Sequence, residues 1–134
     1  MERYLMSVTL TPLYAAGTVL VFLILSWRVI AYRRAHQLSL GDTGDKNLLK
    51  RMRAQANCAE YAPLALLLML MSELAGAPAL ALHLMGGAVL GGRILHALGF
   101  AATPQKIILR QIGMLMTLIM MALTALGLLA HGLI

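Results

Sequence analysis

The sequence predicts an all-α integral membrane protein, built as a bundle of four transmembrane helices. Of its 134 residues, 60% are hydrophobic and only 12% are charged, whereas a water-soluble domain carries about a quarter charged residues. Four apolar segments follow one another, each close to the ~20 residues that cross a hydrocarbon core of ~30 Å. We predict spans at residues 12–32, 53–74, 79–98 and 107–133, which together form a single membrane domain.

The first span has recognisable signals at both of its ends. Thr11 is expected to be its N-cap and Pro12 its first helical residue. Trp27 and Tyr32 lie near its other end, where aromatic rings favour the headgroup level. The residues before it lack a basic start followed by a small-residue cleavage site, so we expect this span to remain in the membrane.

The connections between the spans are mostly short. The first loop is expected to turn at residues 41–45 and to continue through a helical lead at 46–52 into the second span. Residues 74–78 allow only a tight turn, so the second and third spans must form an antiparallel hairpin. Thr103 and Pro104 repeat the cap-then-proline pattern before the fourth span. Small residues on the third span permit close helix approach in lipid: Gly86, Gly87, Ala88, Gly91 and Gly92.

The lysines and arginines are distributed unevenly between the two membrane faces. The chain has 11 of them, and all but Arg3 flank the first and third loops. The positive-inside rule therefore places those loops in the cytoplasm and both termini on the periplasmic side. Membrane topology thus explains the net charge of +6 without nucleic-acid binding, which we do not expect.

One face of the second span is polar. With Arg53 at 0° and about 100° per residue, Asn57 lies at about 40°, Glu60 at about 340° and Tyr61 at about 80°. A cation, an amide, a carboxylate and a phenol therefore share one face of an otherwise apolar helix. Polar groups at membrane depth cost free energy and are candidates for function.

Topology brings further polar residues to the same membrane surface: Arg33, Arg34, Gln55, Arg93, His96, Lys106, Arg110 and Gln111. Structural explanations compete with a binding site, because Arg33 and Arg34 could be snorkelling anchors and Glu60 could neutralise Arg53 or Arg93. A metal site is not expected, since the histidines do not cluster. The single Cys58 excludes an internal disulfide.

The balance of charge in this set indicates the kind of ligand. Several arginines around one carboxylate suit a molecule with two carboxylates and one ammonium group, since arginine clamps carboxylates in a bidentate manner. Glu60 would accept the ammonium group. Tripeptide thiols have this charge pattern, and an arginine near the bound sulfur would favour the nucleophilic thiolate.

These residues resemble a known family. The segment from Arg53 to Pro63 is similar to the helix-two signature of the membrane-associated proteins in eicosanoid and glutathione metabolism, the MAPEG superfamily, and above all to its leukotriene-C synthase branch. Three further segments resemble small bacterial inner-membrane members: Gly41-Asp42-Thr43-Gly44, Gly92-Arg93-Ile94-Leu95-His96 and Arg110-Gln111-Ile112-Gly113-Met114.

The resemblance implies a left-handed four-helix bundle in a homotrimer, with glutathione as cosubstrate between neighbouring subunits and a site open to the cytoplasm. It implies a glutathione transferase or peroxidase that acts on hydrophobic electrophiles from the membrane. The residues that it assigns to glutathione are Arg33, Arg53, Gln55, Asn57, Glu60 and Tyr61. Arg93 and His96, which topology brings to the same surface, are also predicted to bind glutathione. Arg34 would assist the chemistry, and Arg110, with Lys106 as the alternative, would stabilise the thiolate. His96 and Phe100 replace tyrosines of the eicosanoid enzymes, so a lipid-mediator substrate is not expected.

Two other functions are compatible with the sequence. One is a non-catalytic membrane protein that keeps the fold around a vestigial site. The other is a small proton-coupled exporter, because four short spans with one membrane carboxylate also describe that class. Such exporters carry the carboxylate deep in the bundle, usually in the first span, where this chain has none.

Overall fold

The computed structural model describes residues 7–134, which form four α-helices. They are α1 (Leu10–His36), α2 (Lys46–Leu74), α3 (Ala79–Ala101) and α4 (Ile107–Leu133). The predicted all-α class is therefore confirmed, and residues 46–52 are indeed a helical lead that continues into the second helix. Arg3 lies outside the described residues. Among those residues, three helices are long and apolar enough to cross a membrane, namely α1, α3 and α4.

The helices are arranged around a central pair. α2 and α3 contact each other and both outer helices, whereas α1 and α4 do not contact one another within residues 7–134. Consecutive helices run antiparallel, so the bundle has two distinct ends. We call the end that carries the loops 37–45 and 102–106 the basic end. The opposite end carries the start of α1, the turn 75–78 and the end of α4.

Two apolar clusters fill the space between the helices. The cluster nearer the basic end consists of Leu25, Ala54, Cys58, Ala62 and Phe100. The cluster nearer the opposite end consists of Ala65, Met69, Leu82, Val89 and Met120. Cys58 is a buried free thiol within the first cluster, as expected of a small core residue. The outward faces carry large exposed apolar side chains, which suits a helix bundle whose surroundings are lipid.

Two glycines allow α3 and α4 to approach closely. A Cβ atom on Gly92 would lie 2.7 Å from the carbonyl oxygen of Gly113, so neither α3 nor α4 has room for a side chain at this crossing. The prediction of close packing on the third helix is confirmed at Gly92. Gly87 lies on the same helix with nothing within 4 Å of such an atom, so it does not serve this contact.

A carboxylate from α2 caps the start of α1. The Glu73 side chain accepts hydrogen bonds from the backbone N–H groups of Thr9, Leu10 and Thr11, at 2.7, 2.8 and 2.8 Å. The prediction that Thr11 is the N-cap is wrong: the cap position is Thr9, which makes no side-chain cap hydrogen bond. A helix start leaves free donors and a partial positive charge, and a carboxylate satisfies both more strongly than a hydroxyl group does.

The helix α4 begins at Ile107, where the predicted fourth span begins, with Lys106 at the cap position. The prediction that Thr103 and Pro104 form a cap-then-proline start is wrong, because both lie in the loop before the helix. The Lys106 N–H donates to the carbonyl oxygen of Gly99 at 3.1 Å, which ties the loop back to the end of α3 and delays the helix. The Thr103 hydroxyl instead accepts from the ammonium group of Lys50 at 3.5 Å.

The first loop is fixed by one aspartate. Asp45 is the N-cap of α2, where its carboxylate accepts from the N–H groups of Asn47 and Leu48 at 2.8 and 3.1 Å. The Tyr32 hydroxyl at the end of α1 donates to the same carboxylate at 2.8 Å. This hydrogen bond from Tyr32, together with those from the backbone, lowers the pKa of Asp45 below its ordinary value.

Candidate functional site

A cleft of about 310 Å³ opens at the basic end, between α2, the end of α3 and the start of α4. Four of its lining side chains are cationic, and none is a carboxylate. The cleft therefore offers positive charge and hydrogen-bond donors to a ligand. Its lining residues are Lys46, Leu49, Lys50, Arg53, Asn57, His96, Phe100, Gln105 and Arg110.

Arg93 lies behind this cleft and is only 1% exposed. Its guanidinium donates to the side-chain oxygen of Asn57 at 2.5 Å and to the carbonyl oxygen of Gly113 at 3.4 Å. One α3 side chain thereby ties together α2 and α4, and it holds the Asn57 oxygen away from a ligand. The Arg93 side chain therefore points inward, to partners on two other helices. It does not line the cleft, so it positions Asn57 and adds positive charge behind the site.

Arg110 stands at the mouth of the cleft and is held from two sides. Its guanidinium lies 3.7 Å from the centroid of the Phe100 ring and donates to the Gln105 side-chain oxygen at 2.6 Å. A Cβ atom on Gly99 would lie 2.8 Å from the Arg110 backbone nitrogen, so Gly99 allows α4 to start close to α3. The His96 ring also packs against Phe100, with the two ring centroids 5.0 Å apart.

Lys106, the alternative to Arg110, is differently placed. It is exposed at the cap position of α4 and does not line the cleft. Of the two basic residues at the start of α4, only Arg110 is in a position to contact a ligand in this cleft of one chain.

Arg53 and Glu60 form an exposed ion pair beside the cleft. The nearest nitrogen and oxygen are 3.9 Å apart, and the two side chains are 56% and 52% exposed. Such a pair contributes about 0–1 kcal/mol in water, so both groups are available to a ligand at little cost. The carboxylate pairs with Arg53 rather than with Arg93. Neither Glu60 nor its neighbour Tyr61 lines the cleft.

The remaining predicted site residues lie on another face of the molecule. Gln55 donates to the Ser26 hydroxyl of α1 at 2.9 Å, because it is about 200° around the helix from Arg53. Arg33 donates to the carbonyl oxygen of Gly41 at 2.8 Å and so braces the first loop. Arg34 is exposed. The helix α2 therefore presents predicted site residues on two faces, and only one of them borders the cleft.

The sequence analysis missed several lining residues, among them Lys50. Its ammonium group donates to the Ala102 carbonyl oxygen at 3.4 Å and so links α2 to the loop before α4. Lys50 precedes Arg53 by three residues, and this spacing places both on one helix face. That signal was present in the sequence, but the lysine was interpreted only as a marker of topology. Lys46, too, was predicted only as a positive charge beside the first loop.

Comparison with known proteins decides the family. The family model described as MAPEG family matches residues 11–130, which includes nearly all of the four helices. The chain belongs to the MAPEG family. The resemblance that was noted from the second helix is therefore confirmed over the whole bundle, and the chain is a membrane protein of that family.

Two curated MAPEG relatives are also similar to this chain. Both are called inner membrane protein YecN, one from Escherichia coli strain K12 and one from Escherichia coli O6:H1 strain CFT073. Each is 34% identical over 90 residues, which cover 67% of this chain and 69% of the relative.

Proposed function

We propose that this MAPEG protein binds glutathione in the cleft at the basic end. The observation that carries the proposal is the lining of the cleft, which has four cationic side chains and no carboxylate. Glutathione carries two carboxylates and one ammonium group, so its net charge is negative and its carboxylates match arginine and lysine. Membership of the MAPEG family supports this choice among anionic ligands.

The geometry suggests a role for each group around the cleft. Arg53 and Lys50 would bind the carboxylates, and the side-chain amide of Asn57 remains free to donate because its oxygen is occupied by Arg93. Glu60 lies beside Arg53 and would accept the ammonium group at the rim. Arg110 would approach the sulfur atom, with its position fixed by Phe100 and Gln105.

A second copy of the chain would complete this site. Gln55, Arg33 and Arg34 resemble glutathione-holding and catalytic residues of the family, yet they lie outside the cleft of their own chain. We propose a homotrimer in which these residues of one subunit cover the cleft of the next. Tyr61 would contribute at the same junction.

The proposed setting is a bacterial inner membrane, because both relatives are called inner membrane protein YecN. α2 would be the fourth membrane-spanning helix, since most of its charged residues lie in its first half and no charged residue stands between Glu60 and Glu73. Positive loops at the basic end would face the cytoplasm, where the cleft would open, and both termini would face the periplasm.

The proposed reaction is glutathione conjugation, in which the glutathione sulfur is transferred to a hydrophobic electrophile that enters from the membrane. Arg110 would favour the thiolate of glutathione, whose proton leaves to water. The sulfur then forms a bond to the electrophilic carbon, and the leaving group departs with its bonding electrons. With a hydroperoxide, sulfur attacks oxygen instead, and a second glutathione gives glutathione disulfide, alcohol and water. Arg34 of the covering subunit would assist either step.

Calorimetric titration with glutathione tests the binding proposal. We expect saturable binding to the wild type and binding weakened by about tenfold or more in Arg53→Ala and Arg110→Ala, since each loses a charge-assisted contact. Lys106→Ala removes one charge from the same end without touching the cleft, so it should bind within about twofold of the wild type. Absence of binding at millimolar glutathione would contradict the proposal.

A conjugation assay with a chlorodinitrobenzene tests the catalytic half separately. We expect turnover by the wild type and a lower kcat for Arg110→Ala even at saturating glutathione, because thiolate stabilisation is lost. Glutathione binding without turnover on this electrophile or on a hydroperoxide would favour the non-catalytic member of the family instead.

A further inference from the structure

A second pair of arginines lies at the basic end, outside the glutathione cleft. Arg28 of α1 and Arg51 of α2 do not line the cleft, and Arg28 lies one helical turn before Tyr32 on the same face of α1. The Arg51 guanidinium lies 4.8 Å from the centroid of the Tyr32 ring. Its Nε atom is buried and has no hydrogen-bond partner among the described residues.

No carboxylate within residues 7–134 neutralises this pair. Asp45 is occupied by Tyr32 and by the start of α2. Asp42 accepts from the backbone of the first loop, and Glu60 pairs with Arg53. Glu73 caps α1 at the opposite end. Two half-buried guanidinium groups next to the same tyrosine cost free energy without an anion, so the pair is suited to an anion that is not part of residues 7–134.

The surface next to the pair indicates the source of that anion. Leu20, Ile24 and Arg28 follow one another at intervals of four residues and so share one face of α1. Leu20 is 61% exposed and Ile24 is 62% exposed. An apolar stripe therefore runs along the membrane span and ends at the arginines. Trp27, also 61% exposed, directly precedes Arg28 in the chain. Exposed aromatic rings of this kind favour the level of the lipid headgroups.

We propose that Arg28 and Arg51 bind the phosphate group of an anionic membrane phospholipid, with one acyl chain along Leu20 and Ile24. Two guanidinium groups present parallel donors that match phosphate oxygens, and basic pockets between transmembrane helices take such headgroups. A free phosphate ion would leave the apolar stripe unused. A zwitterionic phospholipid would bring an ammonium group to a site that already carries two positive charges.

Thermal unfolding of the delipidated protein in neutral detergent tests the proposal. Added phosphatidylglycerol should raise the Tm of the wild type by several degrees, through preferential binding to the folded state. The rise should fall by at least half in Arg28→Gln and in Arg51→Gln. Lys106→Gln is the matched control, because it removes one charge from the same end, and it should keep the full rise. Phosphatidylcholine and inorganic phosphate should each raise the Tm by less than half as much.

Several results would overturn the proposal. These are an equal rise for phosphatidylcholine, a full rise with inorganic phosphate alone, and equal losses in all three variants, which would indicate general electrostatic attraction. If Arg51→Gln does not fold, Arg28→Gln decides, since Arg28 makes no hydrogen bond within the described chain. Native mass spectrometry gives a second readout: Arg28→Gln should retain fewer bound phosphatidylglycerol molecules than Lys106→Gln, and equal retention would contradict the site.

Discussion

The two ends of the bundle treat their polar groups in opposite ways. At the opposite end, the Glu73 carboxylate is fully engaged by the first N–H groups of α1, and the Tyr14 hydroxyl lies 2.8 Å from the His83 ring nitrogen. At the basic end, four cations line a cleft without a carboxylate, and Arg28 and Arg51 form no ion pair within residues 7–134. Polar groups that are satisfied internally build the fold, whereas those without a counter-charge, or paired only at the surface as Arg53 is with Glu60, are available to ligands.

Arg93 combines the features of both ends. This arginine is buried like a structural residue, yet its partners Asn57 and Gly113 are neutral. Its charge is therefore fixed in place but not cancelled, and it contributes to the potential of the cleft in front of it. Arg93 thus stabilises the fold through its hydrogen bonds and makes the cleft more positive through its charge.

The largest effect on stability is expected from disrupting the close crossing of α3 and α4 at Gly92 and Gly113. In Gly92→Leu, the new side chain collides with the Gly113 carbonyl oxygen and forces α3 and α4 apart. We expect a loss of about 3 kcal/mol or more in unfolding free energy, measured by denaturant titration in detergent. Gly87→Leu is the control, because its position is open, and it should stay close to the wild type. Equal losses in both would contradict the close crossing.

The next effect should come from Arg93→Leu, which removes charge but keeps volume. Asn57 and Gly113 lose their donor, and we expect a loss of about 2–3 kcal/mol in unfolding free energy, since hydrogen bonds to a charged group are the stronger kind. Glutathione affinity should fall as well, because Asn57 is no longer held in place. Arg93→Lys should recover part of the stability. Unchanged stability in Arg93→Leu would show that the arginine does not clasp the three helices.

Glu73→Gln tests the opposite end alone. The amide loses the charge that three N–H groups of α1 share, and we expect a loss on the order of 1–2 kcal/mol in unfolding free energy, in the range of other helix caps. Glutathione affinity should not change, because the residue is far along the bundle from the cleft. A weakened affinity would show that the two ends are coupled, and the contrast between them would need revision.

The smallest effect is expected from Asp45→Asn at the first loop. The pKa of Asp45 is lowered in the folded state, so its charge stabilises the protein above the unfolded-state pKa of about 3.9. That contribution is lost as the pH falls through the folded pKa, below that value. At pH 7 the variant should therefore unfold about 2–3 °C lower than the wild type, and the gap should narrow as the pH falls below about 3.9. A gap that widens on acidification would contradict this.

Much of the fold was predictable because membrane spans leave a strong pattern. Long apolar runs and short turns gave the four helices, and the helical lead before the second span was also correct. The helix starts were less predictable, because a cap can come from a distant residue. Thr11 had the sequence signature of a cap, but Glu73 lies 62 residues away and supplies the acceptor instead. Local sequence does not show such a contact.

The candidate site was predictable only in part. Helical spacing placed Arg53 and Asn57 on one face, and topology brought His96 and Arg110 to the same end, where all four line the cleft. Gln55 was added to the same site although its angle of about 200° from Arg53 puts it on another face of α2, where it contacts Ser26. Arg93 was assigned to the ligand, although burial behind Asn57 makes it a support. Tertiary packing decides which charged residue is buried and which is exposed, so helical spacing alone does not predict it.

The most direct test of the central claim is a structure of the detergent-purified protein determined with glutathione. We expect ligand density in the cleft at the basic end, within hydrogen-bonding distance of Arg53 and with the sulfur near Arg110. We also expect Gln55 of a neighbouring subunit to close the site. Density at the opposite end, or a cleft that stays empty at saturating glutathione, would contradict the claim.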